Sequence, residues 1–114
     1  MKKIIFLLIA CVIVLSGCGS GKPNDVSQEM YDAAVYTIKA TDLYLDGEST
    51  AYETYDKIDS LIIQDSEGYD RDALVNMSIL NIKLSLLGVD AGASSISDIK
   101  EGRSELAEEI NYKD

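Results

Sequence analysis

Apolar residues recur at spacings of three and four along most of this chain after residue 24, in segments interrupted by glycine-containing turns. That pattern is the period of an α-helix with one buried face, and it constrains the fold more than any other feature. The predicted class is all-α, a small antiparallel three- or four-helix bundle. No internal repeat and no low-complexity tract competes with it, apart from a short glycine-serine stretch at Gly19–Gly21.

The first helix is expected to start at Asn24 or Asp25, where Asp25 and Gln28 make a capping pair, and to run to about Asp46 with Gly47 as its stop. Tyr31, Ala34, Val35, Ile38 and Leu45 share its core face. A second helix begins at the capping box Thr50–Glu53, with Ala51, Tyr55, Ile58, Leu61 and Ile62 inward, and Glu53 and Lys57 form a favourable pair one turn apart. The connection between these two helices is so short that they form an antiparallel hairpin. A third helix is expected from about Asp70 to Leu87. It carries two apolar stripes on nearly opposite sides: Ala73, Met77, Leu80, Leu84, Leu87 and Val75, Ile79, Ile82, Leu86. A helix apolar on two sides is expected to pack between neighbours. The rival reading of this run is a strand, because Leu80, Ile82, Leu84 and Leu86 alternate. Gly88 to Ser94 reads as a loop. Ser95 and Asp98 then cap a last helix carrying Ile96, Ile99, Leu106 and Ile110, with Gly102 inside it and Glu108 and Glu109 near its end; it should be the first to fray.

The N-terminus has a separate logic. Met1-Lys2-Lys3 is a short positive region, Ile4 to Leu15 is almost unbroken apolar sequence, and Leu15-Ser16-Gly17-Cys18 follows. The apolar run falls short of the about 20 residues that span a bilayer. Leu15-Ser16-Gly17-Cys18 resembles the lipobox of bacterial lipoprotein signal peptides, in which leucine, a small residue, and glycine or alanine precede a cysteine. The resemblance covers residues 1–18. It implies cleavage between Gly17 and Cys18 and a diacylglyceryl thioether on Cys18, with acylation of the new amine as a further option. Leu8-Ile9-Ala10-Cys11 fits the pattern loosely but leaves only Ile4 to Leu7 as an apolar core before the site. The expected organisation is therefore a signal peptide at 1–17, a lipidated cysteine and flexible tether at 18–24, and an acidic helical domain at 25–114. A diacylated cysteine holds a protein at a membrane for long periods, where a single acyl chain binds only marginally. Six residues, Gly19 to Asn24, reach no further than about 20 Å. The expected location is the extracytoplasmic face of a cell membrane; Gram-positive and Gram-negative hosts both remain open.

Charge and absences narrow the chemistry. The whole chain carries 10 basic and 20 acidic residues; without Lys2 and Lys3 the mature part holds a net charge of −12. So acidic a surface repels phosphate backbones, and nucleic acid is not an expected partner. Histidine and tryptophan are absent, and Phe6 and Cys11 lie in the leader. The mature domain therefore has no residues for an internal disulfide, a Cys or His metal site, or a histidine-based triad. No cofactor and no metal are expected, and the chain is not expected to be an enzyme.

The carboxylates cluster in the turns, Asp42, Asp46 and Glu48 in the first and Asp65, Glu67, Asp70 and Asp72 in the second. Neither cluster has the order of a calcium-binding EF-hand loop, so solvated turn and cap residues are the expectation. A paired-carboxylate glycosidase requires two carboxyls about 5 to 9.5 Å apart across a sugar-sized cleft, for which a bundle this small has little room. Tyr36 and Leu43 on the first helix, and Tyr52 and Ile63 on the second, lie away from the main core stripes. Either the later helices cover them or they form a partner surface. The leading expectation is a non-enzymatic interaction module, anchored to the membrane through Cys18, with an unknown envelope protein as partner. The alternative is a small carboxylate-based enzyme or ligand carrier acting on cell-wall or small-molecule substrates.

Overall fold

The computed structural model describes residues 22–61 and 68–113. The leader, the lipobox with Cys18, and Ile62, Ile63, Asp65 and Glu67 lie outside the described residues. Among the described residues four helices make an all-α bundle: α1 (Gln28–Leu45), α2 (Ala51–Asp59), α3 (Asp72–Asp90) and α4 (Ile96–Glu109). Each helix packs on its sequence neighbours and α1 also packs on α4, with α1 touching α3 across the centre while α2 and α4 stay apart. The third segment is a helix, not a strand.

Local chemistry sets the helix ends. Thr50 and Glu53 form the expected reciprocal capping box on α2, and Ser95 and Asp98 form one on α4. The α1 cap is neither Asn24 nor Asp25 but Ser27, whose hydroxyl accepts the Met30 amide at 3.2 Å. Ser27 holds this position because Asp72, distant in sequence, fixes it in place. At the C-termini, Gly47 (φ +82°) and Gly92 (φ +77°) adopt the left-handed conformation that closes α1 and α3. The α3 helix continues through Gly88 to Asp90, past the expected end at Leu87, because Gly88 keeps helical geometry and the left-handed turn falls at Gly92. Asn111 (φ 56°) closes α4 in the same way, with the Tyr112 amide reaching back to the Ala107 carbonyl at 2.7 Å. The second helix is shorter than its periodicity suggested. It stops at Asp59, and Leu61 packs against the core from beyond its end.

The core is built from Val26, Met30, Ala34, Ile38, Ile58, Val75, Ile79, Ile82, Leu86, Ile99, Leu106 and Ile110. Its α1 wall is narrower than the large apolar residues alone imply, because Ala33, Thr37, Ala40 and Thr41 are also buried. The threonines satisfy their hydroxyls within their own helix: Thr37 donates to the Ala33 carbonyl at 2.8 Å and Thr41 to that of Thr37 at 2.7 Å. Tyr31, Val35 and Leu45, expected on the core face, sit at its margin. Gly102 on α4 is a close-packing position. A Cβ there would lie 3.0 Å from Ile82 Cγ1, so the glycine lets α4 settle against α3. Ile96 is exposed, whereas Ile99, Leu106 and Ile110 bury α4.

Candidate functional site

The α3 helix carries both apolar stripes, and only one is covered. Val75, Ile79, Ile82 and Leu86 are fully buried against the other helices. The opposite stripe is open: Ala73, Met77, Leu80, Leu84 and Leu87 face outward, with Leu74 beside them. Met77 is 62% exposed and Leu84 56%. This corrects the expectation that α3 is packed on both sides. The physical reason is size. The nine residues of α2 span about 14 Å and the nineteen of α3 about 28 Å, so α2, which borders this stripe at Met77 and Leu80, flanks only part of its length. By length and composition α3 could cross a membrane, but its buried stripe makes it a core helix with one uncovered face.

The border of this face is polar and nearly uncharged. From Ala73 to Val89 the only ionisable side chain is Lys83, although the chain as a whole is strongly acidic. Lys83 is already engaged, its ammonium 2.8 Å from Asp59 and over the Tyr55 ring. Between α2 and α3, an open groove of about 240 Å³ runs along Ile58, Leu61, Asn76, Met77, Leu80 and Lys83. It continues the exposed stripe sideways rather than enclosing a ligand.

The chain enters the domain at the N-terminal end of this face. Lys22 donates to the Val26 carbonyl at 2.7 Å and lies over the Tyr69 ring. Asp25 accepts the Arg71 guanidinium at 3.0 Å, and its carbonyl accepts the Arg71 amide. Asp72 is fully buried and takes both Ser27 donors, the amide at 2.8 Å and the hydroxyl at 2.6 Å. These bonds join the starts of α1 and α3. Asp72 is therefore a structural tie, not the solvated cap that its turn position suggested. The C-terminus of α4 returns to the same place, where the Glu109 carbonyl accepts from Arg71 and the Glu109 carboxylate accepts the Ser78 hydroxyl. Burial pushes the Glu109 carboxyl above its ordinary range, opposed by the Ser78 hydrogen bond; Glu105 adds to the rise and Arg71 offsets it.

The first-turn carboxylates have separate fates. Asp42 is bound side-on by Arg103, at 2.9 and 3.0 Å, which ties α1 to α4. Asp46, Glu48 and Asp70 face solvent. Among the described residues no group of three or more metal-ligating side chains converges.

Of the four expected surface residues, Tyr36 and Leu43 come together. They line a shallow groove of about 260 Å³ with Lys39, Ala40 and Lys57. Tyr52 is well exposed but does not line that groove, and Ile63 lies outside the described residues. The face that sequence reasoning missed is on α3. Its signal was visible as the second stripe, but periodicity alone does not say which of two stripes the fold covers. No protein-family model, curated protein or solved structure matches this chain.

Proposed function

We propose that this protein is a membrane-anchored lipoprotein of the cell envelope, and that its helical domain is a non-enzymatic protein-interaction module whose contact surface is the uncovered face of α3. The observation that carries the reading is the open Met77–Leu87 stripe on a well-packed helix. Monomeric soluble proteins rarely leave so continuous an apolar strip in water, and such strips mark interaction sites. The lipobox Leu15-Ser16-Gly17-Cys18 supports the anchor. The tether's arrival beside Tyr69 and Arg71 supports an arrangement in which the start of α3 stays near the bilayer while the stripe leads away from it. The groove at Tyr36 and Leu43, bordered by Lys39 and Lys57, offers a second contact between α1 and α2. A protein surface held at a membrane meets its partners at a raised effective concentration, so modest affinity suffices.

Metabolic labelling with palmitate and N-terminal sequencing test the anchor. The expected result is a labelled mature chain beginning at Cys18, with labelling abolished by Cys18→Ser. An unlabelled chain, or one that begins elsewhere, overturns the membrane reading.

A further inference from the structure

The uncovered stripe has the geometry of a helix–helix seam. Ala73, Met77, Leu80, Leu84 and Leu87 follow one another at steps of four, three, four and three residues. That alternation keeps side chains aligned along one line of a helix and is the spacing of coiled-coil contact positions. We propose that the partner on this face is a second copy of the same chain, the two α3 helices packing side by side about a two-fold axis.

Three observations favour that occupant. The first is charge. Two copies of so acidic a protein repel wherever carboxylates meet, and α3 offers a stretch, Ala73–Val89, free of them. Its one cation, Lys83, is paired within its own chain to Asp59. Two such faces meet without burying a like-charge pair. The same feature argues against a lipid occupant, because helices that lie on bilayers carry several basic residues along their polar flank, and this one has Asn76, Asn81, Ser85 and a single Lys83 that is paired to Asp59. The second is self-complementarity. A stripe with one aliphatic residue per half heptad, bordered by short amides, has the shape and polarity its own copy requires, as a closed two-fold contact demands. The third is area. The exposed parts of Leu74, Met77, Leu80, Leu84 and Leu87 amount to roughly 500 Å² per chain, or about 1,000 Å² for a pair, which reaches the lower limit of a specific interface. The dimer is accordingly a weak and reversible one.

This inference rests on the reading of the α3 face as an interaction surface, and does not depend on the lipid anchor. The test uses the full chain in its own host, made in two differently tagged copies, one with the photo-crosslinking amino acid p-benzoylphenylalanine at position 84. Irradiation is expected to give an adduct of twice the chain mass bearing both tags, while the same probe at position 36 does not. Leu80→Glu in the unmodified copy should reduce the adduct about tenfold or more, because a carboxylate would be buried in the seam. Circular dichroism confirms that the variant is folded, and Met77→Lys serves in its place if it is not. An adduct with a different protein overturns the dimer but leaves the interaction surface standing. A lipid adduct alone, or no adduct from a folded chain, overturns both.

Discussion

Both stripes of α3 are apolar but only one is buried, so truncating one leucine on each isolates the effect of cover. Leu86 is 1% exposed and Leu84 56%. Leu86→Ala removes methyl groups from the contact between α3 and its neighbours and leaves a cavity, at a cost of about 2–5 kcal/mol. Leu84→Ala loses about half of a side chain's burial, and alanine's slightly better helix propensity offsets part of that, so its cost is under about 1 kcal/mol. Domains of this size have about 5–15 kcal/mol of stability in total. Leu86→Ala should therefore shift the urea midpoint strongly and Leu84→Ala barely. Both variants are measured by circular dichroism at submicromolar concentration, where a weak dimer is dissociated. Equal losses would refute the assignment of one stripe to the core and the other to the surface, as would a larger loss at Leu84.

Other outcomes follow from the polar contacts. Burial raises the Glu109 carboxyl above 4.5, so the folded state holds its proton more tightly than the unfolded state. The stability this contributes is complete below the unfolded value and disappears as pH rises through the higher folded one. Glu109→Gln should thus raise the melting temperature at pH 7 and match the wild type below about pH 4; a lower melting temperature at pH 7 would contradict the sign. Asp72→Ala strands the buried Ser27 amide and hydroxyl and should cost about 2–3 kcal/mol in urea titrations, despite the position's resemblance to an ordinary helix start. Thr50→Ala removes one half of the α2 capping box and should cost about 1 kcal/mol, read in the same titration.

What could be read from the sequence was local. Gly47, the Thr50–Glu53 box and the Ser95–Asp98 box each act over four or five residues, so their meaning is complete in the string itself. The α1 cap was misplaced because Ser27 is selected by Asp72, 45 residues away, and no local rule reports such a partner. Asp42 likewise looked like a solvated turn carboxylate until Arg103, 61 residues on, reached it. Thr37, Thr41 and Thr54 were overlooked as core positions since a hydroxyl satisfied by its own helix behaves as a small apolar side chain. On α3 both stripes were legible. Their fates were not, because cover depends on how far the neighbouring helices reach along the second side, and α2, which borders it, is only nine residues long. Tyr36 and Leu43 were picked out by their offset from the α1 core stripe, and that offset is a property of the helix alone.

A single labelling experiment addresses the location of the domain and the cover of α3 together. Cysteine is placed in the full chain at position 48, in the exposed α1–α2 turn, or at position 84 on the open stripe, and intact cells are treated with a membrane-impermeant maleimide. Reaction at 48 but protection at 84, with 84 becoming reactive once the purified chain is diluted, is the predicted result. Position 48 reacting only after the cytoplasmic membrane is broken, and not when an outer membrane alone is permeabilised, would place the domain inside the cytoplasm. Equal rates at the two positions in intact cells would mean that nothing docks on α3.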